Sequence, residues 1–146
     1  MPFKRFLFSI AAAFLFAATP SFAKDGNYQV SSPDGHITAS VTVGENISYT
    51  VSRDGQTLIA PSTISMNLSD GIVFGQNDKV RKTVRASFDE TSPTVAYKKA
   101  EVRDNYNQIL LNFKEFSLIF RAYDDGVAYR FVSNLDKKKT YEVISE

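Results

Sequence analysis

Cysteine and tryptophan are absent from this 146-residue chain, and histidine occurs once. Without cysteine there can be no disulfide framework, no thiolate metal site and no cysteine nucleophile. With His36 as the lone histidine, a zinc site or a Ser-His-Asp triad has almost no material. His36 falls on the polar side of an alternating stretch and reads as a solvated residue. The lack of tryptophan removes the best sugar-stacking ring but leaves 7 tyrosines. An excess of either charge is missing too: 17 basic residues meet 16 acidic ones. A mixed, nearly neutral surface gives no electrostatic case for nucleic acid or an anionic membrane as partner. Glycine-rich phosphate loops, internal repeats and low-complexity linkers are likewise missing.

Residues 1–23 carry the one long apolar run. Lys4 and Arg5 form a basic start, and Phe6 to Ala18 is uncharged and too short to span a bilayer comfortably. Pro20 and Ser21-Phe22-Ala23 follow, with small residues at the spacing that signal peptidase reads. The expectation is a cleaved signal peptide, a mature chain from Lys24 in the bacterial periplasm, and no membrane attachment thereafter. Removal of Lys4 and Arg5 leaves 15 basic residues against 16 acidic.

Beyond the signal no apolar set recurs at helical spacing. Apolar residues alternate instead, which places one set on one face of a strand. Ile37, Ala39, Val41 and Val43 alternate with polar residues, as do Ile47, Tyr49 and Val51. Asp54-Gly55 turns the chain, and five of the 7 glycines follow an aspartate, as a run of short hairpins requires. Pro61 is expected to interrupt the next stretch, with Ile64, Met66 and Leu68 forming another strand. Val80, Val84, Ala86 and Phe88 define one face of a further strand, and Lys82 on that face suggests a sheet edge. Asp89 to Pro93 reads as a loop, and Val95 and Tyr97 mark another strand. Ile109 to Phe113 is apolar on both faces, so a central or covered strand is expected. Phe116, Leu118 and Phe120 lead through Asp124-Asp125-Gly126 into Val127, Tyr129 and Phe131, an aromatic hairpin in which Gly126 would supply positive φ. Tyr141 to Ile144 begins a last strand without an obvious partner. The sum is an all-β antiparallel sandwich, incomplete as it stands, and expected to aggregate when isolated.

The candidate chemistry is sparse. Asp124 and Asp125 could form the carboxylate pair of a glycosidase, which needs two carboxyls about 5–10 Å apart across the sugar. Adjacent residues before a glycine read better as turn formers. Arg103, Asp104, Asn105 and Tyr106 join a ring to hydrogen-bonding groups, which suits a sugar. A polar turn with Tyr106 packed inward is the other reading of that cluster. No catalytic and no metal-ligating residue is assigned.

The segment RAYDDGVAYRF from Arg121 to Phe131 resembles a motif in the N-terminal domain of glycoside hydrolase family 97. YQVSSPDG from Tyr28 to Gly35, Arg53-Asp54-Gly55, and KKAEVRDNY from Lys98 to Tyr106 extend the likeness over nearly the whole chain after residue 24. The resemblance implies a galactose-mutarotase-like super-sandwich preceding a catalytic (β/α)8 barrel, in bacterial α-glucosidases and α-galactosidases. It implies that residues 24–146 are the first part of that domain. It also implies calcium in the inverting members of the complete enzyme, an α-linked oligosaccharide as substrate, and the barrel as partner in cis. Two other functions remain open: a stand-alone periplasmic carbohydrate-binding module, and a structural or adhesion sandwich without a ligand.

Overall fold

The structure is a computed structural model that describes residues 26–93 and 101–146. The expected signal peptide, Val95 and Tyr97 lie outside the described residues. Two four-stranded antiparallel sheets face each other. The first contains β1 (Gly26–Ser31), β2 (Ile37–Val43), β3 (Ile47–Arg53) and β4 (Gln56–Ile64), in that order. Ile37, Ala39, Val41 and Val43 all point into the core, as their period of two requires. The β3–β4 turn carries Asp54 at φ 49° and Gly55 at φ 80°. Two consecutive positive φ values give the mirror-image turn whose twist suits adjoining strands.

After the short strands β5 (Met66–Leu68) and β6 (Val73–Phe74), the second sheet is built from β7 (Lys82–Pro93), β8 (Glu101–Asn112), β9 (Phe116–Tyr123) and β10 (Gly126–Ser133). Its order is β10-β9-β8-β7. Ile109, Leu111, Phe116, Leu118 and Phe120 fill the interior with no more than 1% exposure. Full burial of a side chain of this size contributes about 1.5–3 kcal/mol, so this inner face of β8 and β9 dominates the fold. Tyr49 of β3 joins the sheets, with its ring 5.6 Å from both Phe120 and Tyr129. Phe74 stacks on Phe116 at 4.6 Å and so closes the end of the sandwich where β3 and β9 begin.

Several sequence expectations give way. Pro61 does not interrupt the chain but lies within β4, and Ile64 ends that strand instead of opening the next. A proline is tolerated there because β4 is an edge strand whose pairing with β3 is already irregular. Asp89 to Pro93 is not a loop. It continues β7, paired with Asn105 through Glu101 of β8. Gly126 is not at positive φ; Asp124 and Asp125 make the turn and Gly126 pairs with Tyr123 as the first residue of β10. The final stretch has a partner after all: Val143 to Ser145 form β11, which pairs with β5 in a small sheet ordered β11-β5-β6.

Lys82 does lie on an edge strand, as expected. The apolar side of β7 nevertheless faces away from the core. Register places Val84 beside Leu110 and Arg85 beside the buried Ile109, so Arg85, not Val84, shares the inner face. Arg85 donates to the Gln29 carbonyl, and Asn107 Nδ2 donates to the Ser31 carbonyl at 2.8 Å. These side chains satisfy backbone acceptors of β1, the open edge of the first sheet.

Candidate functional site

Arg103, Asp104, Asn105 and Tyr106 all lie in β8, not in a turn. A strand sends alternate side chains to opposite faces, so the four do not converge. Arg103 and Asn105 share the face of Ile109, whereas Asp104 and Tyr106 look outward. Tyr106 is only 5% exposed. Phe88 stacks on it at 4.8 Å, Tyr123 lies at 5.1 Å, and the Arg121 guanidinium sits 4.3 Å over its ring. Its faces are therefore taken, and it offers no free platform to a sugar.

The other pair meets residues from a different part of the chain. Arg103 and Asn105 line a cleft of about 260 Å³ together with Tyr123, Asp124 and Asp125. The β9–β10 hairpin brings the last three to the rim. Arg103 grips Asp89 through two bonds of 2.7 Å. That fork lowers the Asp89 carboxyl below its ordinary range, and raises Arg103 in turn. Both side chains are open to water, so the pair orients the guanidinium more than it stabilises the fold. Asp124 Oδ1 accepts a hydrogen bond from the Asp34 amide at 3.0 Å, which ties the hairpin to the β1–β2 turn.

That turn holds His36, which the sequence placed on a strand face. It precedes β2, and its Nδ1 lies 2.6 Å from Asp54 Oδ1 in the β3–β4 turn. Hydrogen bonding to Asp54, followed by the charges of Asp54 and Asp34, raises the imidazole pKa. Within the turn Asp34 accepts from the Ser32 hydroxyl and, at 3.0 Å, from the His36 amide. Three turns are thus laced together at one end of the sandwich by exposed polar groups.

This end can offer donors and acceptors to hydroxyl groups: a guanidinium, an amide and two carboxylates. Among the described residues no group of three or more His, Asp or Glu is placed to share a metal ion. Sequence reasoning found Arg103 and Asn105 but read Asp124 and Asp125 as turn formers only. The turn is what carries these carboxylates to the cleft that Arg103 and Asn105 line. Arg121, bonded to Gln108 at 3.0 Å and lying over Tyr106, was missed because only strand register reveals the neighbours.

A family model described as Glycosyl-hydrolase 97 N-terminal matches residues 30–146. The retaining alpha-galactosidase of Bacteroides thetaiotaomicron is 39% identical over 129 residues, covering 88% of this chain and 19% of that protein. A probable retaining alpha-galactosidase of Streptomyces bingchenggensis is 26% identical over 137 residues, with 86% and 21% covered. Among solved structures, a glycoside hydrolase family 97 enzyme from Pseudoalteromonas sp. strain K8 in complex with acarbose superposes with a TM-score of 0.71 at 22% identity. That match covers 80% of this chain and 19% of the other. A beta-arabinopyranosidase gives 0.72 at 23% identity, with 80% and 20% covered. The chain therefore spans about one fifth of the length of these relatives. The match includes Lys98 to Tyr106 and Arg121 to Phe131, and it begins just after Tyr28 and Gln29. With a family model over most of its length and a 39% identical relative, this all-β chain belongs to glycoside hydrolase family 97, as part of its N-terminal domain.

Proposed function

We propose that this chain is the N-terminal sandwich of an exported α-glycoside hydrolase, which packs in cis on a catalytic barrel and contributes no acid or base of its own. The observation that carries it is the 39% identity, over 88% of the chain, to an enzyme about five times as long. That relative is named a retaining alpha-galactosidase, which makes α-galactosides the first substrates to try. Export follows from Lys4, Arg5, the apolar run and Ala23, with signal cleavage there and a periplasmic destination. Among the described residues no group of three or more His, Asp or Glu is placed to hold calcium.

The test is expression of the full polypeptide encoded with this chain, beside residues 24–146 alone. The full polypeptide should release nitrophenol from the α-galactoside or the α-glucoside, and the short form should release none above buffer. Hydrolysis by the short form that disappears in Asp124→Asn or Asp125→Asn would defeat the proposal. Intact mass of the exported protein should show Lys24 as its first residue.

A stand-alone carbohydrate-binding module is the second reading, favoured by the cleft of Arg103, Asn105, Tyr123, Asp124 and Asp125. Saturable binding of galacto- or gluco-oligosaccharide by the short form, lost in Arg103→Ala, would move it to first place.

A further inference from the structure

Five of the 7 glycines follow an aspartate, and four of these pairs lie among the described residues: Asp34-Gly35, Asp54-Gly55, Asp70-Gly71 and Asp125-Gly126. Beyond shaping turns, such a pair carries chemistry of its own. Glycine has no side chain to shield its amide nitrogen, which can attack Cγ of the aspartate before it. The new N–Cγ bond closes a five-membered imide, and a carboxyl oxygen leaves as water. Water then reopens the ring. Attack at Cγ restores aspartate. Attack at the main-chain carbonyl carbon breaks its bond to the glycine nitrogen and leaves the chain running through the side chain. That product, isoaspartate, has unchanged mass, one added methylene in its backbone and a free carboxylate on Cα. Water is the only co-reactant.

Space does not distinguish the four pairs: a Cβ added at Gly35, Gly55, Gly71 or Gly126 would meet nothing within 4 Å. Restraint does. Asp34 accepts from the Ser32 hydroxyl and the His36 amide, and these bonds hold its carboxyl below the ordinary range. An ionised carboxylate resists the amide's attack more than the neutral acid does. Asp54 Oδ1 is engaged by the His36 ring. Gly126 already belongs to β10 and pairs with Tyr123, in a hairpin whose two strands of 8 residues pair along their whole length. Asp70 and Gly71 are both exposed, and among the described residues no partner holds the Asp70 carboxylate. Their turn joins β5, of 3 residues, to β6, of 2. The Gly71 amide donates to the Leu68 carbonyl at 3.1 Å, and strands this short let such a bond open locally at little cost.

We infer that Asp70-Gly71 is a modification site, the first of these four pairs to convert to isoaspartate in the folded protein, and that its conversion releases β11. The residue before it, Ser69, anchors that strand. Its amide donates to the Glu142 carbonyl at 2.9 Å, and its hydroxyl accepts from the Glu142 amide at 3.3 Å. Val143 pairs with Leu68, one residue further back, and Asn67 Nδ2 donates to Ser145 Oγ at 2.7 Å. The turn itself is closed by the Leu68 amide on the Ile72 carbonyl at 2.8 Å. Leu68 is buried in the core and fixes one side of the turn. A backbone longer by one methylene between Leu68 and Ile72 therefore displaces Ser69, on which the Glu142 contacts depend.

The experiment ages the full polypeptide at neutral pH, folded and in urea, and locates isoaspartate by peptide mapping with electron-transfer fragmentation. In urea the four pairs should convert at similar rates. In the folded protein Asp70 should keep at least a third of its urea rate, while Asp34, Asp54 and Asp125 fall tenfold or more. Asp70→Glu, which would have to close a slower six-membered ring, should abolish conversion at this turn. Amide exchange at Val143 and Ser145 should quicken severalfold in aged wild-type protein and stay unchanged in aged Asp70→Glu. Suppression of Asp70 as deep as that of the other three, or faster conversion at any of them, overturns the site. Unchanged exchange at Val143 and Ser145 in protein already converted at Asp70 overturns the release, as does equal quickening in aged Asp70→Glu.

Discussion

The protonation of His36 is tied by geometry to a defined partner, Asp54. Its folded pKa is raised by Asp54, so the pair stabilises the fold at and below the ordinary imidazole range. That contribution is lost as pH rises through the elevated value. The side chains are open to solvent, so the effect on stability is small, and the titration itself is the better readout. In the short chain His36 is the only imidazole. Its NMR titration should have a midpoint above that of an unstructured histidine peptide, and Asp54→Asn should bring it back. A midpoint equal to the peptide's would remove the pair from the account. Asp89 behaves with the opposite sign: Arg103 lowers its pKa, so its contribution is present above the ordinary carboxylate range and disappears as pH falls through the lowered value.

At the scale of elements, the sheets with one wet face were the legible ones. β2 and β3 alternate cleanly because one side meets the core and the other meets water. The aromatic strands β9 and β10 were placed correctly because their large side chains alternate on either side of the Asp124-Asp125 turn, although β9 is buried on both faces. β7 was misread in direction because its apolar side chains serve a face that is not the core, and period alone cannot say which side is inside. For Arg103 to Tyr106 the residue types suggested a sugar site or a polar turn; the four lie instead in β8, where alternation separates the two pairs. The connection around Gly75 was invisible in sequence and is among the most constrained. Gly75 has φ 95°, its carbonyl accepts from the Ile47 amide at 2.9 Å, and its amide donates to Asp78 Oδ2 at 2.8 Å. A methyl group there would approach the Ile64 carbonyl oxygen to 2.5 Å. Gly75→Ala should therefore cost at least about 1–3 kcal/mol, from the strained φ and the clash with backbone, and a urea midpoint should register it. Gly35→Ala, also at positive φ but with open space around it, should cost less. Equal losses at the two sites would show that backbone contact at Gly75 adds nothing.

For the molecule as a whole, the question is how residues 24–146 behave without further chain. The sequence suggested an unpartnered final strand and an aggregated or molten state. β11 is paired with β5, a continuous core runs from Val30 to Ala122, and no buried side-chain polar atom among the described residues lacks a partner. These features argue for a cooperative fold. Yet β4 is exposed along nearly all its length, with Leu58 at 60%, and the outward face of β7 carries Val84 and Phe88. Both are edge strands, and the unpaired N–H and C=O groups of an edge template association. Each large apolar side chain left uncovered forfeits up to about 1.5–3 kcal/mol, against a total folding stability of about 5–15 kcal/mol. Residues 24–146 should therefore melt cooperatively when dilute and associate as concentration rises, and the full polypeptide should not. Size-exclusion chromatography over a hundredfold range of concentration, paired with calorimetry on both forms, checks this. Leu58→Lys with Val84→Lys should shift the short form toward monomer, because both positions are exposed and a lysine on an edge blocks pairing. A monomer at every concentration would mean that these surfaces are solvated by design, which would favour the stand-alone module over the enzyme domain.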